Sequence, residues 1–133
     1  IATALGNKKG INRYGQALGL DRKKASKNAV VALTPMDESL SYVALDLSGR
    51  AYVDYNVKFR VENKAVFSFE LLKEFFRALA NGAHMNLHMK MIKGQNNHHM
   101  AESLFKGFAR ALSQAANISP QRRSAILSTK GIL

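Results

Sequence analysis

Three periodic patterns in the second half of the chain restrict the fold more than any other feature. Apolar residues recur at three- and four-residue steps over residues 71–79, alternate with polar residues over 85–92, and return to helical spacing over 100–115. The first and third patterns are typical of amphipathic helices, and the second is typical of a strand with one buried face. The order helix, strand, helix predicts two helices packed on one sheet.

Local signals predict where these helices begin and end. Ser68 is expected to cap the first helix, which should end near Asn81-Gly82. Asn96 or Asn97 is expected to cap the second helix, and Pro120 ends that region.

The first half of the chain is predicted to supply strands. Residues 30–33 and 40–47 alternate around Thr34-Pro35-Met36-Asp37-Glu38, which predicts a strand, a kink and a strand. Ser48-Gly49-Arg50 has turn composition, and residues 52–59 alternate again, so a hairpin is expected there. We therefore predict a single α+β domain over residues 1–133, with a mainly antiparallel sheet and two helices on one face.

Composition narrows the class of protein and the kind of site. The 133 residues suit one soluble domain, and no apolar run approaches the length of a membrane span, so we expect a cytoplasmic protein without a membrane partner. The absence of cysteine excludes disulfides and leaves nitrogen and oxygen as metal ligands. A net charge of +11 favours a polyanion, a phosphorylated ligand or oligomeric partners.

Three of the four histidines lie close together in the sequence. His88 falls on the predicted strand, and His98-His99 begin the predicted second helix, with Glu102 one turn further on. On a helix His98 and Glu102 share a face, whereas His99 points about 100° away, so two adjacent imidazoles could face two different metals. This ligand set suits manganese, iron, cobalt, nickel or zinc. His84 is interpreted as structural.

Several cationic residues lie beside a glycine that would let a phosphate approach. Arginine can bind phosphate oxygens in pairs, and lysine supplies a point charge. The alternative for each is ordinary surface charge. The residues are Arg13, Arg50, Lys106 and Lys130, near Gly15, Gly49, Gly107 and Gly131.

A set of motifs in a fixed order resembles the imidazoleglycerol-phosphate dehydratase family. The motifs are Pro35-Met36-Asp37-Glu38, Asp46-Leu47-Ser48-Gly49-Arg50, Glu74-Phe75-Phe76-Arg77, His98-His99-Met100-Ala101-Glu102, Phe105-Lys106 and Ser128-Thr129-Lys130-Gly131, with Gly10-Ile11, Arg13 and Gly15 before them. The resemblance covers most of the chain. The fold that it implies is the ferredoxin-like or ribosomal-protein-S5-like half of the dehydratase. It implies a lyase of histidine biosynthesis that dehydrates imidazoleglycerol phosphate to imidazole-acetol phosphate with two manganese ions.

The resemblance also implies roles for individual residues. His88, His98, His99 and Glu102 would be metal ligands, and Asp37 would lie beside the metals, with Asp37 and Glu102 as the catalytic candidates. Five residues would hold the substrate phosphate: Arg13, Arg50, Lys106, Ser128 and Lys130.

Two departures from the family pattern shape the expectation for this chain. The family's first half, with another histidine pair and an early catalytic glutamate, is missing, so the chain resembles the C-terminal half and is expected to be a fragment or a half-length homologue. Residues 16–34 form an atypical basic insertion. Family sites lie between subunits, so a homo-oligomer is expected, and a half-length chain could dimerise to imitate the whole.

Two other functions remain open on the residues alone. Net charge and aromatics near basic residues, namely Tyr52, Tyr55 and Phe59 with Lys58 and Arg60, suit a nucleic-acid-binding module. Nucleic acid is nevertheless not expected as a partner, because no defined binding motif accompanies them. The third reading is an assembly subunit that has lost catalysis.

Overall fold

The computed structural model describes residues 1–6, 8–16, 33–61 and 67–118. Within these ranges a short helix and four strands precede the first long helix. The elements in chain order are α1 (Ala2–Leu5), β1 (Tyr14–Gln16), β2 (Leu33–Met36), β3 (Ser39–Asp46), β4 (Tyr52–Asn56), α2 (Leu71–Ala83), β5 (Asn86–Lys93) and α3 (Asn97–Ala116). Among the described helices, none combines the length and apolar character that a bilayer span requires.

The strands form one mixed sheet centred on β3. β1, β2 and β5 all pair antiparallel with β3, and β4 pairs parallel with the outer side of β5. The predicted α+β class with a mainly antiparallel sheet is confirmed. The expected hairpin between β3 and β4 is wrong, because β5 lies between them. The alternation of apolar and polar residues identifies both strands but does not determine which strands pair. β4 pairs with β5 in parallel, and α2 forms the helical crossover that such a connection needs.

β2 and β3 form a tight hairpin where a kink was expected. Its turn is Asp37-Glu38, and Asp37 has a φ of 47°, a conformation that aspartate tolerates better than most residues. Pro35 is accommodated because β2 pairs only with β3 and leaves its other edge unpaired within the described sheet. Residues 17–32, which hold most of the predicted insertion and of the strand at 30–33, lie outside the described residues.

Both long helices cover the same face of the sheet. Every second residue of β3 is buried beneath them, and the predicted stripe of α3 provides the opposing layer. The single core cluster joins inward residues of the sheet, including Val43, Leu45, Leu87 and Met89, to helix residues that include Phe76, Leu104, Phe108 and Ala111. The other face of the sheet carries Ala44, Asp46 and His88, so polar chemistry is left to that face and to the element ends.

The predicted N-cap is right for α3 and wrong for α2. Asn96 caps α3 as expected. α2 is preceded by Glu70 without a side-chain cap, because Ser68 lies in the turn before it and only its carbonyl accepts, from the Leu71 amide at 3.1 Å. The helix ends at Ala83, next to the predicted Asn81-Gly82, and His84 caps it with a left-handed backbone (φ 50°). This backbone role agrees with the structural interpretation of His84.

Candidate active site

The first turn of α3 presents two adjacent imidazoles. The Asn96 side-chain oxygen accepts hydrogen bonds from the backbone N–H groups of His98 (2.8 Å) and His99 (3.3 Å). This cap satisfies two amide groups that a helix start otherwise leaves unpaired. The two rings have centroids 6.1 Å apart and planes inclined by 62°, so they point in different directions, as the helical period predicts.

His99 is held by the β2–β3 turn. Its Nδ1 lies 2.7 Å from Glu38 Oε2, and its Nε2 lies 3.7 Å from Asp37 Oδ2. The hydrogen bond to Glu38 raises the pKa of His99. Amide hydrogen bonds, above all from Asn96, hold the pKa of Glu38 far below its usual range. From the sequence, no role is expected for Glu38, and only its neighbour Asp37 is expected beside the metals.

His98 belongs to a second group on the exposed stripe of α3. Its Nε2 lies 3.5 Å from Glu102 Oε2, and Lys106 Nζ lies 2.6 Å from Glu102 Oε1. The hydrogen bond from Lys106 is the main cause of the lowered pKa of Glu102. Lys106 also donates to Met36 Sδ at 3.3 Å, which ties the stripe to the end of β2.

His88 lies on the face of the sheet opposite the two long helices, apart from the other candidate metal ligands. Its Nδ1 is 3.5 Å from Asp54 Oδ2, and its ring centroid is 5.6 Å from that of Tyr52. β5 turns the side chain away from the helices because its neighbours in the strand, Leu87 and Met89, face the core.

The Arg13 side chain forms an ion pair with Asp46 of the same chain. Its Nε and Nη2 donate to the two carboxylate oxygens of Asp46 at 2.6 and 2.9 Å, a paired geometry that also raises its pKa. Its backbone N–H donates to Ala115 O, and its carbonyl accepts from the Leu47 amide. Arg13 therefore joins β1, the end of β3 and the end of α3.

Arg50 follows β3 in a turn shaped by Ser48. The Ser48 hydroxyl donates to the Arg50 carbonyl at 3.2 Å and accepts from Asn86 Nδ2 at 2.8 Å. The side chain of Arg50 makes no ion pair with any residue in the described ranges. Ser128 and Lys130, the remaining predicted phosphate ligands, lie outside those ranges.

The candidate residues thus form two groups at opposite ends of β3. Asp37 precedes this strand, and Arg50 follows it. β3 has eight residues, so at about 3.4 Å per residue its ends lie roughly 24 Å apart. Within the described residues no three histidines or carboxylates converge as a metal would require. In particular, Asp37 and Glu38 approach opposite nitrogens of His99.

Two of the aromatics that suggested nucleic-acid binding face the protein interior. The Tyr55 ring centroid is 6.3 Å from that of Phe76, and Phe59 stacks on Phe69 at 5.2 Å. Both side chains are half-buried, so they serve packing against α2 and the segment before it.

Comparison with known proteins decides the family. The family model described as imidazoleglycerol-phosphate dehydratase matches residues 1–112. The chain belongs to the imidazoleglycerol-phosphate dehydratase family. It is 49% identical to the dehydratase of Endomicrobium trichonymphae over the whole of this chain and 60% of that protein. It is 40% identical to the chloroplastic dehydratase 1 of Arabidopsis thaliana over the whole of this chain and 44% of that protein.

Solved structures of the dehydratase family have the same fold. The Staphylococcus aureus enzyme is 35% identical with a TM-score of 0.73, over 89% of this chain and 61% of the other. The Pyrococcus furiosus enzyme is 36% identical with a TM-score of 0.65, over 93% of this chain and 59% of the other. The predicted family is confirmed. The chain spans about 60% of the bacterial relatives it matches, and its assignment to their C-terminal part stays a prediction.

Proposed function

We propose that this chain supplies part of an imidazoleglycerol-phosphate dehydratase active site. One observation carries the proposal: two adjacent imidazoles at the start of α3 each pair with a different carboxylate, His98 with Glu102 and His99 with the Asp37-Glu38 turn. This arrangement suits two neighbouring cations bound on different sides of one helix. The relatives of this chain are imidazoleglycerol-phosphate dehydratases, which supports a dehydration in histidine biosynthesis as the reaction.

The imidazole nitrogens and carboxylate oxygens at the start of α3 fit part of a manganese coordination shell. Imidazole nitrogen and carboxylate oxygen are ligands that Mn²⁺ accepts, and cysteine is absent. His98 with Glu102, and His99 with Asp37, each offer one nitrogen and one oxygen within 4 Å of each other. Two donors are fewer than a transition metal needs, so further ligands must come from elsewhere. His88, with Asp54 beside it, would supply one such ligand to another site.

The separation of the two groups supports a site shared between subunits. A substrate with an imidazole ring at one end and a phosphate at the other is far shorter than the roughly 24 Å between the ends of β3. One chain therefore cannot offer both His99 and Arg50 to the same substrate. We propose a homo-oligomer in which the α3 start of one copy faces the β3 end of another.

Phosphate binding is assigned to two cations of the described residues, Arg50 and Lys106. Arg50 is exposed, and Lys106 is part of the α3 stripe beside Glu102. Ser128 and Lys130 remain candidates from the motif they belong to. Arg13 is engaged by its paired contact with Asp46, so in this proposal it orients the Arg50 turn as much as it binds phosphate.

The protein groups have defined tasks in the elimination. Dehydration breaks a C–H and a C–O bond, so one group must take a proton and another must deliver one to the departing hydroxide. Asp37 is exposed and lies beside His99 Nε2, which suits proton movement near the imidazole of the substrate. A bound metal would hold that imidazole and stabilise the negative charge that develops on it. The phosphate clamp fixes the reacting carbons.

The test is product formation from imidazoleglycerol phosphate with Mn²⁺. The chain is assayed alone and together with the segment of the Endomicrobium trichonymphae relative that it does not match, supplied as a separate polypeptide. We expect imidazole-acetol phosphate in the combined mixture, with loss in His98→Ala and His99→Ala but not in Glu74→Gln, a change on the exposed face of α2. Absence of product in both mixtures would contradict the proposal.

A further inference from the structure

The Glu38 carboxylate joins the β2–β3 turn to the start of α3. Its Oε1 accepts hydrogen bonds from the backbone N–H groups of Gln95 (3.2 Å) and Asn96 (2.9 Å) and from the Ser39 hydroxyl (3.0 Å). Its Oε2 lies 2.7 Å from His99 Nδ1. The two oxygens thus have different tasks. Oε1 fixes the backbone that leads into α3, and Oε2 fixes an imidazole on that helix.

We propose that Glu38 is a positioning residue that sets the tautomer and ring orientation of His99, an inference that rests on the proposed function where it concerns metal. An ionised carboxylate can only accept a hydrogen bond, so the neutral ring must carry its hydrogen on Nδ1. The lone pair then lies on Nε2, the nitrogen that faces Asp37 at 3.7 Å. A metal binds the nitrogen that lacks hydrogen, so Glu38 selects the form of His99 that is ready to bind.

The two adjacent histidines differ in this respect. The His99 side chain is 27% exposed and is held from the turn, whereas His98 is 76% exposed and contacts Glu102 one turn along its own helix. A ring held by a residue 61 positions away in the sequence keeps its orientation as long as the hairpin and the helix stay packed. His99 is therefore the prearranged imidazole of the pair.

Glu38→Gln gives a specific expectation because an amide has two unlike ends. If the amide oxygen stays where two backbone N–H groups need an acceptor, the NH₂ group faces His99 Nδ1. A donor in that place requires Nδ1 to accept, which moves the ring hydrogen to Nε2. The opposite amide orientation would set the NH₂ group against two N–H donors, so the first orientation should prevail. The substitution should therefore invert the His99 tautomer while the anchoring of α3 persists.

Long-range ¹⁵N–¹H correlation spectra of the histidine rings test this inversion in metal-free protein at alkaline pH, where the imidazoles are neutral. We expect Nδ1–H for His99 in the parent chain and Nε2–H in Glu38→Gln, with His98 signals unchanged. Glu74→Gln is the matched control, because it makes the same chemical change in a carboxylate that pairs only with Arg77 among the described contacts. An Nε2–H tautomer in the parent, or an unchanged His99 tautomer in Glu38→Gln, would overturn the proposal. The parent spectrum decides even if the variant does not fold.

Mn²⁺ titration followed by electron paramagnetic resonance separates this inference from the proposed function. Loss of an outer partner of a metal-binding histidine weakens metal affinity by about 10- to 100-fold, and we expect that range for Glu38→Gln and no change for Glu74→Gln. Equal affinity in parent and Glu38→Gln would overturn the positioning role. No Mn²⁺ binding by the parent would contradict the proposed function, while the ring spectra would still show whether Glu38 controls His99.

Discussion

Lys106 Nζ lies 2.6 Å from Glu102 Oε1, one helical turn apart on the exposed stripe of α3. This pair joins a residue expected to hold phosphate to one expected to hold metal. The lysine stabilises the ionised form of Glu102, which is the form that binds a cation. Its own positive charge lies beside that carboxylate.

Replacing Lys106 with methionine should raise the pKa of Glu102 toward its ordinary value, because the hydrogen bond from Lys106 is the main cause of the present lowering. Ionised Glu102 stabilises the fold above its unfolded-state pKa, and this contribution disappears as the pH falls through the folded-state pKa. The variant should therefore lose less stability than the parent on acidification. A carboxyl ¹³C NMR titration measures the shift. Lys73→Met on the exposed face of α2 is the control, and an unshifted Glu102 titration would contradict the assignment.

Replacing Arg13 with lysine should lower the free energy of unfolding by roughly 1–3 kcal/mol, because lysine keeps the charge but cannot make both hydrogen bonds to Asp46. Urea denaturation measures the loss. Arg77→Lys is the matched control: its partner Glu74 is exposed, and a change below about 0.5 kcal/mol is expected. Equal losses in the two variants would show that the Arg13 pair is no more than a surface contact.

Gly107→Ala should destabilise the fold although alanine favours helix. A Cβ at this position would lie 2.8 Å from Val43 Cγ2 and 3.1 Å from Thr34 Oγ1, so α3 would have to move away from the sheet, at a cost of roughly 1–3 kcal/mol.

Gly82→Ala is the comparison for this substitution, because its Cβ would meet nothing within 4 Å, and a gain of up to about 1 kcal/mol is expected. Thermal unfolding of both variants tests the contrast. Stabilisation by both substitutions would mean that α3 packs less closely on β3 than described.

Tyr55→Phe should leave stability unchanged or raise it by up to about 1 kcal/mol, because the buried hydroxyl has no hydrogen-bond partner among the described residues. Burial raises the pKa of Tyr55 to about 12. The unfolded chain loses this proton first, so the parent should lose stability as the pH rises from about 10 to about 12. The difference between the unfolding free energies of variant and parent, followed across that range, should therefore grow in favour of the variant. A difference independent of pH would contradict the assignment.

The sequence predicted the helices and strands better than it predicted which strands pair with each other. Residues 85–92 and 100–115 gave β5 and α3 with the expected buried faces, because periodicity reports which side of an element is apolar. The placement of β5 between β3 and β4 could not be foreseen in that way. β1 was missed because three residues that include Gly15 are too few to show a pattern.

For the candidate site, contacts within one helix were predicted from the sequence, whereas contacts between distant elements were not. Spacing within α3 correctly placed His98 and Glu102 on one face, since the helical period fixes such neighbours. The Glu38 contact with His99 spans 61 positions and depends on how the hairpin packs against the helix start, which no local pattern encodes. The separation of His88 from His99 likewise follows only from the sheet topology.

The central claim is that the start of α3 binds a divalent metal, and metal content measured by mass spectrometry on protein purified without chelator tests it most directly. With the further ligands supplied by a neighbouring copy in the proposed homo-oligomer, the parent chain should carry near-stoichiometric manganese or another divalent transition metal. His98→Ala and His99→Ala should each lose it, with Glu74→Gln unaffected. A parent chain without transition metal, or variants that retain the parent's content, would contradict the claim.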